Sequence, residues 1–105
     1  MQQAHIQFSV VNGTGLICLD RPDALNALTT DMVTSLRDHI LAWRDDSTIG
    51  HIIIKSSSPR AFSVGGDVRQ AYAHIKAQDK DALAHFFRSE YLAALSVYEC
   101  GKPVI

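Results

Sequence analysis

The sequence predicts an α/β fold in which a mainly parallel sheet is covered by flanking helices. Two observations lead to this prediction. Short β-rich runs alternate along the chain with longer stretches whose apolar residues keep helical spacing, which is typical of parallel strands joined by helices. In addition, Ile52, Ile53 and Ile54 are consecutive within residues 49–55, and a run of β-branched residues indicates a strand covered on both faces.

The first elements predicted are two strands joined as a hairpin. Residues 5–11 and 15–20 are rich in β-forming side chains, and the sequence NGTG between them (residues 12–15) is a strong turn signal. Residues 21–30 follow as a loop, because Pro22 has no amide hydrogen to donate and is excluded from a central strand.

A helix is predicted next, beginning near Thr29 or Thr30. Either residue can cap the helix, and Asp31 lies where an acidic side chain favours a first turn. Apolar residues then recur at helical spacing and predict one buried stripe, formed by Met32, Val33, Leu36, Ile40 and Trp43.

Two more helices are predicted after the strand at residues 49–55. One starts at Asp67 or just after it, with an apolar side formed by Val68, Ala71, Tyr72 and Ile75. The sequence AQDKD breaks that helix. Asp79 or Asp81 can then cap a longer helix that runs to about Glu99.

The last residues, 103–105, look like the entry to another buried strand. Two or three strands with a fourth cut short make a thin core. We therefore expect residues 1–105 to be the N-terminal portion of a single larger domain. The alternative is a complete small α/β domain with a short C-terminal tail.

Composition limits the classes of partner. The chain has 105 residues and a net charge of −1, so it holds one small domain at most and has no electrostatic basis for binding nucleic acid or an anionic membrane. No apolar run approaches the roughly 20 residues of a membrane span. The first ten residues, MQQAHIQFSV, have no basic region followed by an apolar core, so we do not expect them to be a secretory signal. Cys18 and Cys100 are far apart, which suggests reduced thiols and a cytoplasmic protein, although a disulfide between them stays open.

The sequence RAFSVGGD (residues 60–67) is the first candidate for chemistry. Adjacent Gly65 and Gly66 between a strand and a helix let the backbone approach a ligand closely. Asp67 can cap the following helix and leave the amides of residues 64–66 for an anion or a developing oxyanion. A plain tight turn is the alternative, and residue types alone leave both open.

Other motifs are excluded at this turn. No Gly-Lys-Ser/Thr follows, so it is not a phosphate-binding P-loop. Ala61 stands where the nucleophile elbow of hydrolases needs glycine. Ser63 has no neighbouring His or Asp in the motif, which favours a turn residue over a nucleophile. The five histidines form no i, i+4 ligand pair and the cysteines add no metal spacing, so we expect no metal site.

Glu90 is the second candidate. Successive residues of a helix are rotated by about 100° around its axis. On this basis Glu90 lies in the middle of the apolar side of the last predicted helix, and Ser89 and Ser96 lie on the opposite side. A carboxylate on a buried stripe costs free energy unless it is paired or faces a cavity. Glu90 therefore either has a structural partner or lines a polar pocket.

Three segments together resemble a known family. Residues 19–32 (LDRPDALNALTTDM), 51–69 and 101–105 (GKPVI) are similar to the N-terminal third of the crotonase superfamily, the enoyl-CoA hydratase and isomerase fold. The motifs RP-x-ALNAL and AF-S-x-GGD occur in the correct order and spacing. The sequence FFRSEY (residues 86–91) resembles the 3-hydroxyisobutyryl-CoA hydrolase branch, which acts in valine breakdown.

The resemblance implies a fold of repeated ββα turns that form a spiral, often as a homo-oligomer. It implies hydrolysis of a short-chain acyl-CoA thioester, with 3-hydroxyisobutyryl-CoA as the substrate. No separate cofactor is implied, because coenzyme A is part of the substrate. A hydratase or isomerase of the same superfamily is one alternative, and a non-catalytic chain is another.

The resemblance also implies roles for individual residues. The loop at Ala24 and Leu25 would lie along the CoA moiety, and the backbone amide of Val64 would be one of two donors to the thioester oxygen. Gly65, Gly66 and Asp67 belong to the same substrate-binding motif, and Glu90 would lie at the acyl pocket. The second oxyanion donor and the catalytic carboxylates of the family fall after Ile105, so we expect residues 1–105 alone to be inactive.

Overall fold

The structure, a computed structural model, describes residues 5–105. Strands and helices alternate as the sequence predicts. The elements are β1 (Ile6–Val11), β2 (Thr14–Leu19), a single 3-10 turn (Pro22–Ala24), α1 (Thr30–Arg44), β3 (His51–Ser56), α2 (Val68–Lys76) and α3 (Lys80–Glu99).

The three strands form one sheet in the order β1-β2-β3. β1 and β2 are antiparallel, and their two-residue turn places Asn12 and Gly13 at positive φ, which confirms the predicted hairpin. β2 and β3 are parallel. The predicted further strand begins as well, since the amide of Ile52 donates to Pro103 O and the amide of Ile105 donates to Ile52 O, both at 2.9 Å.

The core lies between one face of the sheet and α1. Thr29 caps α1 by accepting a hydrogen bond from the amide of Met32 at 3.2 Å. The predicted stripe is buried, except that Leu36 is half-buried. Gly15 lies against the Trp43 ring, and a side chain at Gly15 would overlap that ring. The buried residues of this cluster are Ile6, Phe8, Ile17, Leu19, Met32, Ile40, Trp43, Ile49, Ile52 and Cys100.

The prediction that β3 is covered on both faces is wrong. Ile52 is fully buried, but Ile53 and Ile54 are half-buried. Ile52 and Ile54 share the core face, beside Gly15 and Ile17 of β2. Ile53 points to the opposite face, which is only partly covered.

The predicted orientation of α3 is also wrong. Its buried residues are Phe86, Ser89, Ala93 and Ser96, so the two serines assigned to the exposed side lie inside. α3 packs mainly against α1, and small side chains let two helix backbones approach closely. The hydroxyl of Ser96 donates to Ala93 O at 2.6 Å, which satisfies it within the helix.

α2 presents an apolar side that the described chain leaves uncovered. Asp67 caps this helix by accepting from the amides of Arg69 and Gln70, as predicted. Val68, Tyr72 and Ile75 are nevertheless 57% to 77% exposed. Within residues 5–105, no helix is long and apolar enough to cross a membrane.

Candidate active site

Two loops meet at the edge of the sheet and form a cleft. The first loop comprises residues 20–29, and the glycine loop comprises residues 60–67. They pair like parallel strands, because the amide of Leu28 donates to Gly65 O and the amide of Asp67 donates to Leu28 O, both at 2.8 Å. The cleft holds about 440 Å³ and is lined by Arg21, Asp23, Ala24, Leu25, Ala27, Val64, Gly66, Asp67, Val68 and Arg69.

The cleft brings together most of the predicted site residues. Ala24 ends the 3-10 turn, and Leu25 follows it with a φ of 52°. Both are half-buried, while Val64 opposite them is exposed. Their side chains therefore supply an apolar wall to a cleft of the size that small ligands occupy.

The backbone amides of the glycine loop are not equivalent. The amide of Val64 donates to Leu25 O at 3.2 Å, and the amide of Gly65 donates to Ser63 Oγ at 3.0 Å. The amide of Asp67 is bonded to Leu28 O. The amide of Gly66 has no acceptor among the residues described, 5–105.

This pairing distinguishes the two candidate oxyanion donors, Val64 and Gly66. Val64 was predicted to hold an oxyanion, but its amide is already bonded to a protein carbonyl. Gly66 carries the free amide of the segment 64–67 and also lines the cleft. Ser63 is a turn residue as predicted, because its hydroxyl donates to Asn26 O at 2.7 Å and accepts from Gly65.

Asp67 is buried and fully engaged by the protein. One carboxylate oxygen accepts from the amides of Arg69 and Gln70 at 2.9 and 3.3 Å, and the other accepts from the Arg21 guanidinium at 2.7 Å. Burial raises the pKa of Asp67, but the hydrogen bonds and the Arg21 charge together outweigh it and hold the pKa below the usual 3.8. Asp67 therefore holds the glycine loop and the start of α2 in place.

Glu90 reaches the glycine loop from α3. A methyl group built on Gly66 would lie 2.9 Å from Glu90 Oε2 and 3.0 Å from Oε1, so the carboxylate lies directly against this glycine. Glu90 is half-buried rather than central on the buried stripe. It has no ion pair or hydrogen bond within residues 5–105, and it is not among the residues that line the cleft.

Gly65 and Gly66 differ in what a side chain would meet. Gly65 has a φ of 89°, a backbone conformation that residues with side chains rarely adopt, whereas a methyl group at Gly66 would meet the flexible end of Glu90. The two adjacent glycines thus allow both a tight turn at Gly65 and a close approach of the Glu90 carboxylate to Gly66.

Asn26 is the site residue that sequence reasoning missed. It is completely buried, and its side chain accepts from the amide of Arg21 at 2.7 Å and donates to Ser56 Oγ and Phe62 O at 2.7 and 2.8 Å. Its φ is 56°. The available signal was the residue type, since asparagine tolerates positive φ better than most residues and occurs here in a proline-containing loop.

The described part of the chain contains no cluster of three or more histidine, cysteine, aspartate or glutamate residues able to hold a metal ion. The chemistry available to the cleft is that of a free backbone amide, a nearby carboxylate and an apolar wall.

Comparison with known proteins identifies the family. A family model described as enoyl-CoA hydratase/isomerase matches residues 14–105. The chain belongs to this family. It is therefore a member of the crotonase superfamily, as the motifs in both loops indicate.

The curated proteins similar to this crotonase chain include two vertebrate enzymes. The chain is 40% identical over 92 residues to the mitochondrial 3-hydroxyisobutyryl-CoA hydrolase of Homo sapiens, which covers 88% of this chain and 24% of that protein. It is 34% identical over 102 residues to the enzyme of the same name from Danio rerio, with 97% and 26% covered. The chain spans about a quarter of the length of these relatives.

Solved structures show the same architecture. A carnitinyl-CoA dehydratase from Mycobacterium thermoresistibile superposes with a TM-score of 0.91 at 30% identity, covering 97% of this chain and 30% of that one. An enoyl-CoA hydratase from Rhodobacter sphaeroides gives 0.90 at 32% identity, with 96% and 30% covered. The crotonase fold predicted from the motifs is confirmed, and residues 1–105 correspond to an N-terminal part of it.

Proposed function

We propose that this crotonase hydrolyses a short-chain acyl-CoA thioester, with 3-hydroxyisobutyryl-CoA as the substrate and 3-hydroxyisobutyrate and CoA as the products in valine breakdown. The observation that carries the proposal is the free amide of Gly66 in the cleft with the Glu90 carboxylate against the same glycine. The similarity to curated enzymes named 3-hydroxyisobutyryl-CoA hydrolase supports the choice of substrate.

In this proposal the Gly66 amide donates to the thioester oxygen. Negative charge develops on that oxygen when the carbonyl is attacked, and a preorganised N–H group lowers the barrier because it needs no reorientation. Removal of one such donor costs on the order of 10²–10³ in kcat in other enzymes. We assign donation to the thioester oxygen to Gly66 rather than to Val64, because the Val64 amide is bonded to Leu25 O.

The remaining residues of the cleft bind substrate. Ala24, Leu25 and the Val64 side chain form the wall along which the CoA moiety lies. Glu90 lies at the acyl pocket, where its unpaired carboxylate can accept a hydrogen bond from the hydroxyl group of a 3-hydroxyacyl chain. Gly65 and Asp67 support the loop that presents Gly66.

The resemblance places the second oxyanion donor and the catalytic carboxylates in the sequence after Ile105. We therefore propose that residues 1–105 supply half of the oxyanion hole and part of the acyl pocket of a single larger domain, and that they are inactive alone. The absence of a separate cofactor, a homo-oligomeric assembly and a cytoplasmic location stay predictions. The curated relatives are named as mitochondrial.

The test is an assay of the protein expressed from its complete gene. Release of CoA from 3-hydroxyisobutyryl-CoA is followed by thiol detection, and hydration of crotonyl-CoA is followed in parallel. We expect CoA release, and we expect Glu90→Gln to keep the fold and raise KM. Glu99→Gln, at an exposed position on the same helix, is the matched control and should match the parent. Hydration of crotonyl-CoA without CoA release would favour the hydratase alternative.

A further inference from the structure

Asn26 has no unused polar group, although it lies outside the lining of the cleft. Its side-chain oxygen accepts from the amide of Arg21, and both hydrogens of its side-chain nitrogen are donated, one to Ser56 Oγ and one to Phe62 O. The three partners belong to the first loop, to the end of β3 and to the glycine loop. A single buried side chain therefore ties these three segments together.

The backbone of Asn26 makes a second connection to the glycine loop. Its carbonyl oxygen accepts from the Ser63 hydroxyl at 2.7 Å, and Ser63 Oγ accepts from the amide of Gly65 at 3.0 Å. The next carbonyl upstream, that of Leu25, accepts from the amide of Val64. The two residues before Gly66 are thus bonded, directly or through Ser63, to the carbonyls of Leu25 and Asn26.

Those two carbonyls depend on an unusual backbone conformation. Leu25 and Asn26 have φ values of 52° and 56°, and successive non-glycine residues in the left-handed region persist only where their surroundings hold them. The side-chain bonds of Asn26 supply that restraint. Without them, the first loop can relax and withdraw both carbonyls from the glycine loop.

We propose that Asn26 is a positioning residue that sets the direction of the Gly66 amide. The proposal rests on the proposed function, in which that amide is the oxyanion donor. Asn26 acts through the glycine loop and does not touch the substrate. Because the amides of Val64, Gly65 and Asp67 are all bonded, the remaining freedom of Gly66 depends on how firmly the first loop is held.

The principal variant is Asn26→Asp in the protein expressed from its complete gene. The ionised carboxylate has the same shape but cannot donate to Phe62 O or Ser56 Oγ. We expect kcat for thioester hydrolysis to fall about 100-fold while KM changes less than threefold, because the lost interaction is made mainly in the transition state. Ile40→Val, a change in the buried core of α1, is the control for lost stability and should leave kcat within twofold.

A second measurement does not depend on activity. Amide hydrogen exchange of Val64 and Gly65 should be at least tenfold faster in Asn26→Asp than in the parent or in Ile40→Val. If the parent protein hydrolyses no acyl-CoA thioester, the proposed function fails, and faster exchange at these amides would still support the positioning of the loop.

Ser63→Ala is a second variant that tests the proposal if Asn26→Asp does not fold. It removes only the link between Asn26 O and the Gly65 amide, and we expect a fall of about tenfold in kcat with KM unchanged. Unchanged kcat together with unchanged exchange, in whichever of the two variants is folded, would overturn the proposal. A fall in kcat matched by Ile40→Val would also overturn it, because the effect would then be one of stability alone.

Discussion

Gly66 in the glycine loop and Glu90 on α3 approach each other closely. Their proximity explains why a glycine without positive φ occupies this position. Sequence reasoning selected both residues, one from a turn motif and the other from a helical wheel, but it gave no indication that they touch. The contact exists because α3 returns across the glycine loop.

Gly66→Ala should therefore impair substrate binding more than stability. The added methyl group meets the flexible end of Glu90, so we expect the carboxylate to move aside at a cost of about 1 kcal/mol or less in unfolding free energy. KM for the acyl-CoA should rise, because the added methyl group displaces the Glu90 carboxylate from its place at the acyl pocket. Steady-state kinetics and urea unfolding, followed by the fluorescence of the single, buried Trp43, measure the two effects.

A double-mutant cycle that combines Gly66→Ala with Glu90→Ala tests whether contact with Glu90 causes the loss of stability in Gly66→Ala. Removing the carboxylate should reduce the stability cost of Gly66→Ala, giving a coupling of about 0.5 kcal/mol or more. Gly50→Ala is the control, because the nearest atom to an added methyl there, Gly13 O, is 3.9 Å away. Strictly additive effects at positions 66 and 90 would contradict the contact.

Asp67 should make stability depend on pH in the acidic range. Its pKa is lower in the folded chain than the usual 3.8, so its contribution is present above that value and is lost as pH falls through the lower folded value. We expect Asp67→Asn to reduce unfolding free energy by about 1–3 kcal/mol at pH 7, since the Arg21 guanidinium loses its charged partner.

The difference between parent and Asp67→Asn should be constant above about pH 5 and shrink below about pH 4. Urea unfolding at a series of pH values measures it. Asp45→Asn, which removes an exposed carboxylate paired only with exposed Arg44, should differ little from the parent at pH 7. A difference that grew on acidification would show that Asp67 is not held ionised by its partners.

At the scale of elements, α3 shows how a helical wheel can mislead. Its largest side chains suggest a buried face near Phe87 and Tyr91, yet these are 55% and 65% exposed. The buried positions follow the heptad-like spacing of Phe86, Ser89, Ala93 and Ser96. The close approach of α3 to α1 favours small side chains at these buried positions. A hydrophobicity scale does not take side-chain size into account, so it places serine on the exposed face.

Ser96→Leu should consequently destabilise the protein by about 1–3 kcal/mol, because a larger side chain in a closely packed helix interface forces the helices apart. Ala94→Leu, at an exposed position of the same helix, should change unfolding free energy by no more than about 0.5 kcal/mol. Urea unfolding of both variants gives the comparison. Equal effects would indicate that α3 does not pack on α1 through Ser96.

For the whole molecule, exposed apolar surface is the dominant feature. Within residues 5–105, eleven large apolar side chains are more than half exposed, and most of them lie in the glycine loop, α2 and α3: Val10, Val11, Phe62, Val64, Val68, Tyr72, Ile75, Phe87, Tyr91, Tyr98 and Ile105. Exposed apolar surface promotes association. The exposed side of α2 was predicted as an apolar stripe from its spacing alone.

Residues 1–105 expressed alone should therefore self-associate. Sedimentation velocity over a range of concentrations should show a rising average mass, and Ile75→Lys should shift the association to higher concentration. Thr34→Lys adds the same charge at an exposed polar position on α1 and should have a much smaller effect. A monomer at all concentrations would contradict the prediction.

Short-range patterns predict the hairpin, the order of strands and helices and the helix caps, and two motifs predict the family. These features depend on short-range patterns: turn residues at Asn12 and Gly13, capping side chains at Thr29 and Asp67, and two motifs in a given order. Each depends on residues within a few positions of one another, so no knowledge of distant contacts is needed.

Which polar groups are free to bind a ligand depends on contacts between distant segments. The Val64 amide is engaged because a carbonyl from the first loop reaches it, and the Gly66 amide is left free by the same arrangement. Glu90 lies against Gly66 because α3 crosses back over the glycine loop. A hydrogen bond or a close approach between distant segments depends on where the chain returns in space, and no local pattern of residues encodes that position.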